Sequence, residues 1–246
     1  MSETGVAKKT KQKSPIIEYN GLKYLRIPIK THLITDKDDI VEVVANYTKD
    51  LAQKGDFVVV SESATAITQG RAIPVDSIKP CWLARFLSRY VKKVSYGIGL
   101  GSPETMEMAI REVGVIRILI AAVIGFIGKL LGRSGDFYRV AGMQAALIDG
   151  AADYVIPPYN RYVILGPREP WNVARKIKEA TGLEAAIVDV NDIGGSWAIG
   201  VTDGLDKRLV EQVLRDNPLG QSREQTPIGL VRLIRDEEIE AASGSM

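Results

Sequence analysis

The stretch Ala185-Ala186-Ile187-Val188-Asp189-Val190-Asn191-Asp192-Ile193-Gly194-Gly195 constrains the fold more than any other in the chain. It carries no polar residue before Asp189, so a strand built from it is buried, inside a covered sheet. Phe57-Val58-Val59-Val60 is a second such run, rich in β-branched residues. Leu25 to Ile29 reads as an edge strand, because Pro28 removes a ladder donor. Further strands are expected over Arg161–Leu165, Ser196–Thr202 and Ile228–Ile234.

Helical patterns fill the spaces between. Asp38 and Asp39 open one, with apolar residues at Ile40, Val43, Val44, Tyr47 and Leu51 and with Gly55 stopping it. Helical spacing recurs from Pro80 to about Lys93. Ser102-Pro103 supplies an N-cap and a first helical residue. Pro170–Thr181 is a helix closed by Gly182, and Asp206–Arg215 is another. Strands and helices interleave without strict alternation, which predicts an α+β (mixed α/β) fold with mixed sheets.

The 246 residues suffice for one large domain or two small lobes sharing a core. Residues 1–14 read as a disordered basic tail with Lys8, Lys9, Lys11 and Lys13, and residues 237–246 as a flexible C-terminal tail. The 32 Lys and Arg nearly cancel the 30 Asp and Glu, so no overall field recruits nucleic acid or a membrane. Cys81 is the only cysteine, which excludes an intrachain disulfide and a Cys-based zinc site. No signal-peptide pattern is seen, and a cytoplasmic location is the expectation. Val115–Leu131 holds an unbroken apolar run from Ile118 to Gly128, but Arg117 and Lys129 bracket it well short of the about 20 residues a span requires. It is expected to be a buried helix or strand, with a subunit interface as one setting.

Elimination narrows the chemistry. His32 is the only histidine and no Walker A loop occurs, so His-cluster metal sites and P-loop chemistry are excluded. The end of the Ala185–Val190 strand is the strongest remaining centre. Asp189, Asn191 and Asp192 offer oxygen ligands of the kind hard cations prefer, before a Gly194-Gly195 turn. The same residues could also simply cap that turn. Alternation puts Asp189 and Asn191 on one face, so a turn is needed to bring Asp192 round. Three weaker features are the polar loop Asp216–Pro227, the glycine-rich Gly97–Ser102 before a helix N-terminus, and the pair Asp149 and Asp153.

These residues carry a resemblance. The stretch from Asp149 through Val188-Asp189-Val190-Asn191-Asp192 to Leu219-Gly220-Gln221 and Thr226–Arg232 resembles the γ-glutamyl ligases of the deazaflavin coenzyme F420. Gly55-Asp56-Phe57-Val58-Val59-Val60 and Gln69-Gly70-Arg71 are similar to that family's opening. The resemblance implies a two-lobed unit, here residues 15–236, acting as a homodimer. It implies a GTP-dependent enzyme using Mg²⁺ or Mn²⁺. Such an enzyme joins the amine of L-glutamate to a small-molecule carboxylate acceptor through an acyl phosphate.

By the same resemblance the metal would fall to Asp192, to Gln221 and to Asp149 or Asp153, with Asp189 and Asn191 in support. Gly194, Gly195, Gly220, Arg71, Arg139 and Arg223 would serve the nucleotide and substrates. The sequence departs from the family pattern at Ile193, where the family has Thr. It departs again at Ser196 and its neighbours and at Ser63 and Ile67, where the family has basic residues. A divergent branch is implied, with a different acceptor open, ATP as an alternative to GTP, and a non-catalytic nucleotide- or metal-binding protein as the second reading.

Overall fold

The structure is a computed structural model that describes residues 13–91, 99–192, 195–220 and 222–234. Its centre is a mixed six-stranded sheet. The strands are β1 (Ile16–Tyr19), β2 (Leu22–Ile29), β3 (Phe57–Ser61), β6 (Glu184–Asn191), β7 (Gly195–Val201) and β8 (Ile228–Ile234), in the order β1-β2-β8-β3-β6-β7. Only β3 and β6 run parallel; every other neighbouring pair is antiparallel. The two apolar runs that dominate the sequence are therefore adjacent inner strands.

Alternation along them feeds two cores. Val58, Val60, Ala185 and Ile187 pack on one face beneath helices α1 (Ile40–Thr48), α2 (Glu62–Thr68) and α8 (Pro170–Thr181). Val59, Ala186, Val188 and Val231 pack on the other, against α9 (Lys207–Val213). The expected end residues act as such: Asp39 accepts from the Val41 amide and Gly182 ends α8 in the left-handed region, while Asp206, read as helical, is instead the N-cap of α9 and accepts from the Arg208 amide.

Pro28 corrects one expectation. Its strand is not an edge strand, since β2 lies between β1 and β8. Yet β1 pairs only with Leu22–Leu25, leaving one side of residues 26–29 without a partner strand. The proline is tolerated because the strand is locally an edge there.

The second lobe has its own core. Strands β4 (Ala72–Pro74) and β5 (Tyr162–Ile164) form a small antiparallel sheet. Around it gather α3 (Trp82–Leu87), α4 (Pro103–Val113), α5 (Val115–Leu130), α6 (Asp136–Ala141) and α7 (Met143–Ala146). Ser102 and Thr105 form a reciprocal capping box at the start of α4. Arg71 ties the lobe together: its buried guanidinium donates to Glu112 (2.6 Å), Gln144 (3.2 Å) and the Gly166 carbonyl (2.6 Å).

A second correction concerns α5. The segment is helical, but it is not buried: of its 16 residues only Ile118, Ala121 and Gly128 are enclosed. Ile116, Val123, Phe126 and Leu130 are among its exposed apolar side chains. No single helix among the described residues is long and apolar enough to cross a membrane.

Candidate functional site

The parallel pairing of β3 and β6 sets the site. Their register aligns Ser61 with Val188, so the next residues, Glu62 and Asp189, lie at the carboxyl ends of adjacent parallel strands. Open α/β sheets place ligands at such ends. Asp149 comes from the other lobe, held by two backbone hydrogen bonds with Ile164 of β5 (2.8 and 3.0 Å).

The three carboxylates sense one another. Glu62 is 4% exposed and is pushed well above the usual carboxylate range, first by burial and then by the charges of Asp149 and Asp189. Its Oε2 has no hydrogen-bond partner, while Ser63 Oγ lies 3.1 Å from its Oε1. Asp149 is pushed up to about 7, by its surroundings first and by Asp189 second, with a Ser63 hydrogen bond acting the other way. Solvent nevertheless reaches Asp149. Burial also raises Asp189.

Ionising the buried Glu62 with Asp149 and Asp189 nearby is costly, because its charge is screened poorly by water. Among the described residues no three Asp, Glu, His or Cys side chains converge closely enough to hold an ion unaided. One or two carboxylates with water and phosphate oxygens are nonetheless a common set for Mg²⁺. The orphaned Glu62 oxygen beside two accessible carboxylates fits that set.

Asp192 goes elsewhere. The strand alternation that gives Asp189 to the α1–α8 side gives Val190 to the α9 side, and Asp192 follows in the hairpin. Its carboxylate accepts from Lys13 Nζ (2.5 Å) and Asn217 Nδ2 (3.0 Å). Asn217 is fully buried with its Oδ1 unpartnered, and Lys13 also donates to the Asn217 carbonyl. Asn191 accepts from the Gly195 amide (3.0 Å), bracing the β6–β7 hairpin.

The remaining predicted residues scatter. Asp153 is exposed, and Arg223 donates to its backbone carbonyl (3.2 Å). Arg139 pairs with Asp136 in α6 (2.6 Å), and Arg71 is occupied with Glu112. Gly220 takes a positive φ where a Cβ would crowd Glu224. Gln221 and Gly194 lie outside the described residues, as do Gly97 and Ile98 of the glycine-rich stretch. Asp149 and Asp189 are thus the expected pair the fold brings together.

Glu62 escaped the sequence reading. Its signal was present: Val58-Val59-Val60-Ser61-Glu62 repeats the pattern of a buried strand ending in an acid that singled out Ile187-Val188-Asp189.

An α+β protein with two acids, Glu62 and Asp189, where its parallel strands end and a third, Asp149, from a helical lobe is the class that fold and site define. Residues 28–204 match the family described as F420-0:gamma-glutamyl ligase. The matched span covers most of the chain, and the chain belongs to that family. It takes in Glu62, Asp149 and Asp189 and stops short of Gln221. No curated protein matches.

Proposed function

We propose that the chain is a divalent-cation- and nucleotide-dependent ligase that forms an amide bond between a carboxylate acceptor and the amine of L-glutamate or a similar amino acid. The observation that carries this reading is the set Glu62, Asp149 and Asp189, drawn from both lobes and near enough for the charges of Asp149 and Asp189 to act on Glu62. Asp149 and Asp189 would hold Mg²⁺ or Mn²⁺, with Glu62 beside them; Gln221 and Asp192 are the family-implied additions. A bound cation would neutralise charge on the phosphates of GTP, or of ATP.

In such a reaction the acceptor carboxylate attacks the terminal phosphorus and releases the nucleoside diphosphate. The glutamate amine then displaces phosphate from the acyl phosphate, forming the amide and releasing a proton. Ser63, hydrogen-bonded within the acidic set, would orient Glu62 and Asp149.

The test incubates purified protein with GTP or ATP, Mn²⁺, glutamate and a panel of carboxylate acceptors, and measures phosphate. Release that needs both acceptor and metal is expected, reduced at least roughly 100-fold in Asp149→Asn and Asp189→Asn. No release with any acceptor, from folded protein, would overturn the catalytic reading.

A second reading, a nucleotide- or metal-binding protein without turnover, draws on the fate of the basic residues. Arg71 and Arg139 are engaged by Glu112 and Asp136, and the lysines that the resemblance leads one to expect between Val60 and Gly70 are missing, with Ser63 and Ile67 near those places. Calorimetric binding of GTP with Mg²⁺ but without phosphate release would select it.

A further inference from the structure

The helical lobe carries an apolar surface that the ligase chemistry does not use. On α5 the side chains of Ile116, Val123 and Leu130 follow one another at seven-residue spacing on one face, and all three are more than half exposed (76%, 59% and 72%). Phe126 flanks that face and is 63% exposed. The opposite face fixes how the helix sits. A Cβ at Gly125 would lie 2.9 Å from Phe137 Cβ, and one at Gly128 would overlap the Asp136 carboxylate. The helix is seated by its glycines on α6, and its apolar side faces outward.

Charge identifies what covers that side. Between residues 79 and 139 the sequence holds ten Lys and Arg against four Asp and Glu, a net of +6 in a chain whose total is +2. Three of the four acids are already paired within the lobe: Glu107 with Arg111, Glu112 with Arg71, and Asp136 with Arg133 and Arg139. Arg117 and Lys129 stand near opposite ends of α5 and border its exposed arc on either side, about 120° apart across the buried face at 100° per residue. A second copy docked face to face by a twofold axis would set this basic rim against itself. An anionic bilayer complements both features: apolar side chains enter the acyl boundary while the cations meet headgroup phosphates. Trp82 of α3, 76% exposed in the same lobe, adds a side chain suited to the interface.

We propose that this lobe docks, without spanning, on an anionic phospholipid surface through the exposed face of α5. The proposal is independent of the ligase reading. The full chain is tested by co-sedimentation with vesicles of phosphatidylglycerol and phosphatidylcholine, against phosphatidylcholine alone. Binding roughly ten-fold stronger to the anionic vesicles, weakening with salt, is expected. Val123→Glu and Phe126→Glu should each lower it roughly ten-fold, while circular dichroism stays that of the parent. Because both positions are exposed, folding should survive; Lys129→Glu, which leaves the apolar face intact, should weaken binding to the anionic vesicles, and unchanged binding would count against docking on headgroup phosphates. Absence of binding to anionic vesicles at low salt overturns the proposal. So does a stable dimer that Phe126→Glu converts to a monomer and that ignores vesicles, which would assign the face to a second copy.

Discussion

Glu62 and Asp149 show how a single residue's setting carries information that its type does not. Both are held in an environment that favours the protonated form, with folded-state values above those of the unfolded chain. The resulting stability is complete below the unfolded carboxylate value near 4 and is lost as pH rises through the folded values, which for Asp149 is about 7. Metal-free protein should therefore melt at a lower temperature at pH 8 than at pH 5. Mn²⁺ should restore the difference, acting more strongly at pH 8, where protons no longer compete. A pH series of thermal melts with and without Mn²⁺ checks this; equal metal effects at both pH values would count against a cation among these carboxylates. Arg71 belongs to the same scale. Truncating it to Ala leaves the largely buried Glu112 without its partner, and urea unfolding should show a loss of about 3 kcal/mol. Sequence could name Asp189 as an acid at a strand end and Asp149 as one of a pair with Asp153. It could not show that Glu62 joins them, because that depends on which strand β3 lies beside.

At the scale of elements, the sequence was most legible where local signals end a helix or fill a strand. Asp39, Ser102 and Gly182 each act where the pattern put them, since a cap is satisfied by its own neighbours. The strand β1 and the short helices α2, α6 and α7 were not foreseen, because four to seven residues carry too little periodicity to stand out. Contacts between elements set further limits. Gly200 of β7 lies against the Pro170–Trp171 backbone at the start of α8, where an added Cβ would overlap the chain. Gly200→Ala should cost about 1–3 kcal/mol in urea unfolding, more than an ordinary Gly→Ala change in a strand. Ser102→Ala should cost about 1 kcal/mol by removing one half of the α4 capping box.

The whole molecule joins two lobes at one acidic place, with Glu62 and Asp189 offered by the large sheet and Asp149 by the small one. A cation bound there should protect both lobes together. Hydrogen exchange with saturating Mn²⁺ should slow amides in residues 57–68 and in residues 145–165; slowing confined to one segment would sink a shared centre. The sequence by itself determined the two inner strands, most helices and the mixed α+β class, because burial patterns and caps are written in neighbouring residues. It also marked Asp149, Asp189 and Asp192 as acids worth following. Only the tertiary structure decided their company. The parallel register of β3 and β6 brings Glu62 beside Asp189, and strand alternation carries Asp192 toward Lys13 and Asn217 instead. The physical reason is range: caps and periodicity act over a few residues, whereas strand neighbours are chosen by the packing of the entire core.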